Sequence, residues 1–182
     1  MSTDSLEKTA PVATATKRPL SRDLAGLAVS GLVTIVVAAI GGLATAVTID
    51  GWYAEAEKTL LNPPNALFGP VWTTLYTLLA VSAWVIWRQP ASPERTRALR
   101  VYAGQLAFSS AWSPLFFVLY EVTGPSALWI ALGWIVVLDF IVLANIAAFW
   151  AVKRRAAWLL IPYGLWLLFA TALNASIAVV NS

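Results

Sequence analysis

Five long runs of apolar residues dominate this sequence, and each is long enough to cross a lipid bilayer as a helix. A helix rises about 1.5 Å per residue, so roughly 20 residues span a hydrocarbon core of about 30 Å. The runs are continuous rather than alternating, which excludes a membrane β-barrel. We therefore predict an all-α membrane protein, a single bundle of five transmembrane helices. The predicted spans are Leu24 to Ile49, Leu67 to Trp87, Leu99 to Tyr120, Ser126 to Val152 and Ala156 to Val180.

The composition narrows the possible chemistry. The chain is 59% hydrophobic and only 12% charged, whereas about a quarter of the residues in a soluble domain are charged. It has no Cys or His, and its one Met is the initiator. Disulfides, typical zinc sites, and nucleophiles or haem ligands that use Cys or His are therefore excluded. We predict no metal site, no catalytic residue and no obligatory cofactor.

The distribution of Lys and Arg predicts the orientation. With five spans, the N-terminal tail and the second and fourth loops share one side, and they carry all but one of the 12 Lys and Arg residues. The other side carries only Lys58. The positive-inside rule then places the N-terminus in the cytoplasm and the C-terminus outside. The basic clusters act as topology signals, so we predict no nucleic-acid partner.

The polar N-terminal residues form a separate segment. Residues 1–21 are rich in Thr, Ala and Pro, a composition that predicts a disordered cytoplasmic tail. No internal repeat or domain boundary follows, so residues 22–182 are predicted to form one transmembrane domain.

The stretch from Asn62 to Tyr76, which reads N-P-P-N-A-L-F-G-P-V-W-T-T-L-Y, is the centre of the candidate site. Its prolines fix φ and limit the shapes of the loop and of the first helical turn. Three rings at spacing i, i+4 and i+8 share one face of the helix that follows. Such a ladder suits a flat apolar ligand, although ordinary packing against neighbouring helices is an equally good interpretation. The three rings are Phe68, Trp72 and Tyr76.

The loop before this stretch is predicted to lie over the mouth of the bundle. Trp52 and Tyr53 open it, and Pro63 and Pro64 close it. Trp52 and Tyr53 are typical of the aromatic belt at a membrane interface. Alternatively, all four residues form a lid over a binding site.

The third span carries polar groups on one face. Gln105, Ser109, Trp112 and Phe116 follow at near i+4 spacing, and polar groups at membrane depth need partners. We expect this face to look into the bundle, with Ser109 and Trp112 reaching a ligand. Pro114 should bend the helix or loosen one turn.

A neighbouring stripe on the third span consists of alanines. Ala103, Ala107 and Ala111 form a small-xxx-small pattern that allows close helix approach. The stripe suits a homodimer seam, while packing within one chain is nearly as good an interpretation.

Asp139 lies near the middle of the fourth span, with no Lys or Arg at similar depth. An isolated carboxylate is costly there, so we expect it to be protonated, hydrated or hydrogen-bonded. A structural role is favoured over a proton relay.

The fifth span combines rings with a small gap. Trp166, Ala170 and Asn174 align at i, i+4 and i+8, with Tyr163 and Phe169 beside them. A small residue between large rings would leave room for a flat ligand.

Together these motifs resemble the tryptophan-rich sensory protein and translocator protein family, also called the peripheral benzodiazepine receptor or TspO/MBR family. The set is highly specific and runs in order from Trp52 to about Asn181. The matching motifs are W-Y at Trp52-Tyr53, N-P-P-N at Asn62 to Asn65, F-G-P-V-W-T-x-L-Y at Phe68 to Tyr76, Y-x-x-Q-L at Tyr102 to Leu106, W-S-P-L-F-F at Trp112 to Phe117, and P-Y-x-x-W-x-x-F-A-x-x-L-N at Pro162 to Asn174.

The resemblance implies five transmembrane helices, a homodimer and a pocket near the long first loop. It implies porphyrin ligands such as protoporphyrin IX and haem, synthetic benzodiazepine-site compounds, and cholesterol in animal members. The pocket residues that it implies are Trp72, Trp166, Phe169, Ala170 and Asn174, with Phe68 and Tyr76 beside them.

The sequence departs from the family pattern at three places. Ala66 replaces a Trp that usually follows the N-P-P motif, and Ser109 replaces an Asn. The cholesterol motif after L-N is absent, because Ala175 stands in place of its Tyr and no Lys or Arg lies beyond Arg155. Sterol recognition by that motif is therefore not expected.

The leading functional prediction is a regulatory membrane receptor or sensor that binds tetrapyrroles. Two alternatives stay open: light- and oxygen-dependent porphyrin breakdown, and transport of porphyrins or other small hydrophobic molecules. Nothing in the sequence supplies an acid–base pair or a nucleophile for turnover, and no inverted repeat indicates a transporter.

Overall fold

The computed structural model describes residues 19–48 and 50–182, which form helices joined by short connections and contain no strand. The all-α prediction is confirmed for these residues. Most of the predicted tail, residues 1–21, lies outside them, and the first helix already begins at Leu20. In chain order the helices are α1 (Leu20–Ala46), α2 (Trp52–Glu55), α3 (Phe68–Trp87), α4 (Pro93–Ser113), α5 (Tyr120–Thr123), α6 (Ser126–Val152) and α7 (Arg154–Val180). A 3-10 turn, Asn65–Leu67, precedes α3, and a π-helical segment, Pro114–Val118, follows α4.

Four of the described helices are long and apolar enough to cross a membrane: α1, α3 with its preceding turn, α6 and α7. Helix α4 has a similar length, but its first turns are charged. It begins at Pro93 rather than at the predicted Leu99, and the rest of the predicted third span is divided between the π-helical segment and α5. The charged residues in question are Glu94, Arg95, Arg97 and Arg100.

Prolines set the start and the break of this third long segment. Pro93 occupies the first helical turn, where a missing N–H costs nothing, and Ser92 Oγ caps the helix by accepting from Arg95 N at 3.1 Å. At Pro114 the regular pattern gives way to a π-helical turn, closed by a hydrogen bond from Leu119 N to Pro114 O at 2.9 Å. The predicted loosening at Pro114 is confirmed.

The five long helices pack around a common core. Around the bundle their order is α1, α3, α7, α6 and α4, because α1 contacts α3 and α4, while α7 contacts α3 and α6. The core lies between α3, α4, α6 and α7 and includes the fully buried Leu79, Ile135, Phe149, Leu160 and Tyr163. Helix α1 contributes least to it, and its large aliphatic side chains face outward, as suits a surface solvated by lipid.

Candidate functional site

A cavity of about 830 Å³ lies between α1, α3, α7 and the end of α4. Small-molecule sites usually have volumes of roughly 300–1,000 Å³. The structure brings eight of the nine residues predicted to bind a ligand to its wall. They are Phe68, Trp72, Tyr76, Trp112, Trp166, Phe169, Ala170 and Asn174.

The aromatic part of the wall comes from α3 and α7. The ring centroids of Trp72 and Trp166 are 6.5 Å apart with planes at 85°, an edge-to-face pair. Trp72 stacks with Tyr76 at 5.5 Å, one helical turn along α3, and Phe68 meets the Trp166 ring at 6.2 Å. Ala170 lies one turn after Trp166 and adds only a methyl group to the wall. The ladder predicted from spacing is therefore present, and open space lies beside it.

The polar groups of the wall differ in how well they are satisfied. The amide of Asn174 donates to the Leu128 carbonyl at 3.0 Å and accepts from Trp112 Nε1 at 3.3 Å, so this side chain is held on both sides. Trp166 Nε1 is buried, and no group in the described part of the chain accepts its hydrogen bond. A buried unpaired donor costs about 1–3 kcal/mol. This nitrogen is covered by neighbouring atoms, so the part of the Trp166 ring that lines the cavity is apolar.

Ser109 is the predicted ligand residue that the structure does not place on the cavity wall. Its hydroxyl instead shares a hydrogen bond of 3.0 Å with the Tyr163 hydroxyl. Gln105, on the same predicted face, is fully buried behind the wall and accepts from Asn145 Nδ2 at 2.5 Å. The polar face of the third span does look into the bundle, as predicted, but much of it pairs with α6 and α7. A side chain as short as Ser109 reaches only its nearest partner.

Asn145 was missed by the sequence reasoning, although a signal was available. It is an amide within the otherwise apolar helix α6 and therefore needs a polar partner at membrane depth. Gln105 in α4 has the same need, so the pair in the structure satisfies one group of each amide. The two residues join α4 to α6 rather than contacting the cavity.

Asp139 also lies away from the cavity wall. Its Oδ2 accepts a hydrogen bond from Thr171 Oγ1 at 2.9 Å, which confirms the expectation that this carboxyl group is hydrogen-bonded. The contact links α6 to α7, so the geometry favours the structural role.

One wall of the cavity was not predicted at all, and it belongs to α1. Small residues recur along α1 at spacings of three and four, which places them on one helical face. The sequence signal was this regular spacing. The residues are Gly31, Thr34, Ala38, Gly41 and Thr45.

The loop between α1 and α3, residues 50–66, covers one end of the cavity and is called the roof here. Tyr53 lines the cavity, and its hydroxyl donates to Asn62 Oδ1 at 2.9 Å. Burial raises the pKa of the Tyr53 phenol, so it remains a donor at neutral pH. Trp52 points away from the cavity: it stacks on Tyr120 at 3.7 Å and donates to the Phe117 carbonyl at 2.9 Å.

The other two predicted lid residues, Pro63 and Pro64, lie in the roof but not on the cavity wall. Pro64 precedes the 3-10 turn that leads into α3, so the prolines shape the entry of the chain into this helix. Among the described residues no three His, Cys, Asp or Glu side chains cluster as a metal site would require. The cavity thus offers rings, aliphatic groups and a few hydroxyl and amide groups.

Comparison with known proteins agrees with the motifs. Residues 30–180 match the model of the TspO/MBR family. The chain is 35% identical to the tryptophan-rich protein TspO of Archaeoglobus fulgidus over 86% of this chain and 97% of that protein. It is 35% identical to the translocator protein of Sus scrofa, over 76% of this chain and 82% of that one. It is also 35% identical to the tryptophan-rich sensory protein of Cereibacter sphaeroides, over 69% and 73%.

These matches cover most of the chain, and the apolar helices indicate an integral, multi-pass membrane protein. The chain therefore belongs to the TspO/MBR family.

Proposed function

We propose that this protein is a membrane receptor or sensor that binds tetrapyrroles, such as protoporphyrin IX or haem, in the cavity between α3 and α7. The observation that carries the proposal is the pair of Trp72 and Trp166, which meet edge to face on the wall of a cavity of about 830 Å³. A flat ligand inserted beside them can contact both ring systems while Ala170 leaves it room.

The expected affinity follows from the rings. Each favourable ring pair contributes about 0.5–1.5 kcal/mol beyond area burial, so two or three rings are needed for micromolar binding. Removing both tryptophans should therefore weaken binding by roughly 30-fold or more.

A titration tests this proposal. Protoporphyrin IX is added to the protein in lipid nanodiscs while tryptophan fluorescence is recorded, and quenching should saturate. The variant Trp72→Ala with Trp166→Ala should lose most of the saturable binding. The matched control, Trp129→Ala with Trp158→Ala, changes two exposed tryptophans outside the cavity wall and should bind like the wild type. Equal affinity of all three proteins would reject this cavity as the site.

Light-dependent porphyrin breakdown is the second candidate, and the position of two tryptophans on the cavity wall favours it. Porphyrin absorbance is followed in light and in darkness, with oxygen present, for the wild type and the Trp72→Ala, Trp166→Ala variant. Loss of porphyrin faster than in protein-free nanodiscs, only in light and only with the wild type, would support turnover. A porphyrin absorbance spectrum that stays unchanged in light would support binding without breakdown.

We also propose that α4 and the π-helical segment form a fifth span, which places the N-terminus in the cytoplasm and the C-terminus outside. The support is the position of α4 in the bundle, packed between α1 and α6 with Tyr102, Gln105 and Leu106 buried. The cysteine-free sequence permits a direct test with single cysteines and an impermeant maleimide. Lys8→Cys should be protected in intact cells, and Ser182→Cys should react. The same side for both would contradict five spans.

A homodimer is proposed through the alanine stripe of α4. Ala103 and Ala107 are exposed on the outer face of the bundle and Ala111 is half-buried, so the stripe is free to contact a second copy of the chain. Ala107→Cys should form a disulfide-linked dimer in membranes, whereas Gly133→Cys on the exposed face of α6 should not. Equal cross-linking of both would argue against this seam.

A further inference from the structure

The cavity has an elongated shape that a closed binding site would not require. Its α1 wall runs from Leu27 to Ala46, which corresponds to about 28 Å at 1.5 Å per residue. Its α3 wall runs from Phe68 to Val81. The cavity is thus a cleft that follows the seam between α1 and α3.

The cleft opens on the outer surface of the bundle. Ile35 on α1 and Thr73 and Thr77 on α3 line the cavity and are exposed at the same time, with Ile35 at 66% exposure. Exposed wall residues on both helices are expected where the cavity reaches the surface of the bundle. The structure therefore has a side opening between α1 and α3, in addition to the roofed end.

The side opening lies at the depth of the hydrocarbon. Helices α1 and α3 run antiparallel, and the ion pair between Asp23 and Arg88 at 3.2 Å fixes which residues lie at the same level. Because both helices rise equally per residue, Ile35 lies at about the level of Tyr76, near the middle of α3. In a membrane, this opening faces lipid chains rather than water.

The seam between α1 and α3 is fastened at one end. There, Asp23 pairs with Arg88, the Asp23 carbonyl accepts from Trp84 Nε1 at 3.0 Å, and the Trp87 ring lies against Gly26. Beyond this end, no hydrogen bond or ion pair joins residues 27–48 to residues 68–86.

Farther along, α1 is attached to a different neighbour. The Thr34 hydroxyl lies 3.4 Å from that of Tyr102, and Gly41 approaches the side chain of Ser113, so both contacts lead to α4. The part of α1 that follows Gly26 can therefore move relative to α3 without breaking a polar contact between these two helices.

The roof, by contrast, is bonded to the last turns of α7 and to Asn181, which follows it. Thr59 Oγ1 donates to Ser176 Oγ at 3.1 Å, Glu57 N donates to Asn181 Oδ1 at 2.9 Å, and Asn181 Nδ2 donates to the Glu57 carbonyl at 3.0 Å. Opening the roof would break these three hydrogen bonds together.

We propose that the cavity is loaded from the bilayer, through the side opening between α1 and α3, while the roof stays closed. The ligand is then an amphiphile that has already partitioned into the hydrocarbon, with a flat apolar body that passes between the helices. This inference rests on the function proposed above and specifies where its ligand comes from.

Two sets of variants distinguish entry through the side opening from entry through the roof. Thr59→Cys with Ser176→Cys locks the roof by a disulfide in a chain that has no other cysteine, at a pair whose oxygens lie 3.1 Å apart. Gly42→Leu and Gly31→Leu narrow the side opening, because a Cβ at either position meets nothing within 4 Å and both residues line the cavity. Gly133→Leu on α6 is the matched control, with equal open space away from the cavity.

The measurement is stopped-flow quenching after mixing nanodiscs with liposomes that contain protoporphyrin IX. We expect the locked roof and the Gly133→Leu control to associate within twofold of the wild-type rate. Gly42→Leu and Gly31→Leu should slow association about tenfold. The proposal is overturned if the locked roof blocks uptake until the disulfide is reduced, or if both narrowing variants load at the wild-type rate.

A second readout does not depend on porphyrin binding. The protein is reconstituted in phospholipids with brominated acyl chains, and quenching of Trp72 is obtained as the difference between the wild type and Trp72→Phe. An open side admits bromine to the cavity, so Trp72 should be quenched, and Gly42→Leu should reduce that quenching at least twofold. Absence of Trp72 quenching would overturn the side opening even if porphyrin binds. If Trp72 is quenched but porphyrin shows no saturable binding, the side opening is retained and the proposal that the ligand is a tetrapyrrole is rejected.

Discussion

The roof and the α1 wall enclose the same cavity but are built in opposite ways. The roof uses rings and hydrogen bonds, with Trp52 stacked on Tyr120 and Asn181 bonded twice to the backbone of Glu57. The α1 wall has no ring and presents mostly glycine, alanine and threonine to the cavity, with Leu27 and Ile35 as its two large side chains. The roof is held by rings and hydrogen bonds close to the cavity, whereas the polar contacts between α1 and α3 lie at one end of their seam.

The difference follows from where each boundary lies. The roof is at an end of the bundle, where backbone and side-chain polar groups are available to bond. Helix α1 runs through hydrocarbon, where neighbouring helices associate by close packing of small residues rather than by a hydrophobic driving force. A fixed boundary at the water side and an adjustable one at the lipid side suit a ligand that arrives from the membrane.

The largest expected effect comes from filling the space between the two boundaries. Ala170→Trp places an indole beside Trp166 on the cavity wall, so it should lower the affinity for protoporphyrin IX by roughly 100-fold. Ala172→Trp on the exposed face of the same helix is the matched control and should bind like the wild type. Fluorescence titration in nanodiscs measures both. Unchanged binding by Ala170→Trp would mean that the ligand lies elsewhere.

Removing the main roof anchor should have the largest effect on stability. Trp52→Ala loses the stack on Tyr120 and the hydrogen bond to the Phe117 carbonyl. We expect the free energy of unfolding to fall by about 3 kcal/mol. Thermal unfolding in detergent provides the measurement, with the exposed Trp158→Ala as control, for which a loss under about 1 kcal/mol is expected. Equal losses would show that the roof is not specifically anchored.

Tyr53→Phe tests a single roof hydrogen bond and its pH dependence. Loss of the bond to Asn62 should cost about 1 kcal/mol. Burial raises the pKa of Tyr53 from its usual value of 10.0, so its phenol keeps its proton longer in the folded state than in the unfolded one. Its contribution to stability is therefore complete below pH 10 and is lost as the pH rises through the raised pKa.

Thermal midpoints of both proteins between pH 8 and about 11 check this expectation. The difference between wild type and Tyr53→Phe should shrink toward the alkaline end. A difference that is constant or grows over this range would contradict the burial of the phenol.

The smallest effect is expected at the fastened end of α1. Asp23→Asn removes the ion pair with Arg88, whose side chain is 49% exposed, so stability should fall by less than about 1 kcal/mol. Porphyrin release should nevertheless speed up about twofold, because α1 is then less firmly held to α3. The rate of porphyrin release from the wild type and from Asp23→Asn, measured by stopped flow, checks this expectation. Slower release would argue against the fastening role of this end.

Spacing along single helices was enough to predict most of the site. The i, i+4, i+8 patterns of Phe68, Trp72 and Tyr76 and of Trp166, Ala170 and Asn174 fix which side chains share a face, and the structure places all six on one cavity wall. Apolar runs likewise predicted the all-α bundle. Both inferences depend on local geometry alone.

The predictions that failed concern features that depend on contacts between helices. Ser109 was expected at the ligand, but whether a short hydroxyl meets a ligand or Tyr163 depends on the distance between α4 and α7. The α1 wall was missed because small residues carry no chemistry of their own and matter only through the space they leave. The start of α4 at Pro93 depended on capping by Ser92, which hydropathy does not register.

The most direct test of porphyrin binding between α3 and α7 places a reporter on the tryptophan rings themselves. The protein is labelled with 5-fluorotryptophan, and the fluorine resonances of Trp72, Trp166 and Trp158 are assigned by single Trp→Phe variants. Addition of protoporphyrin IX in nanodiscs should shift the Trp72 and Trp166 resonances saturably and together, and leave that of the exposed Trp158 in place. If the Trp72 and Trp166 resonances stay fixed while porphyrin binds, the cavity between α3 and α7 is not its site.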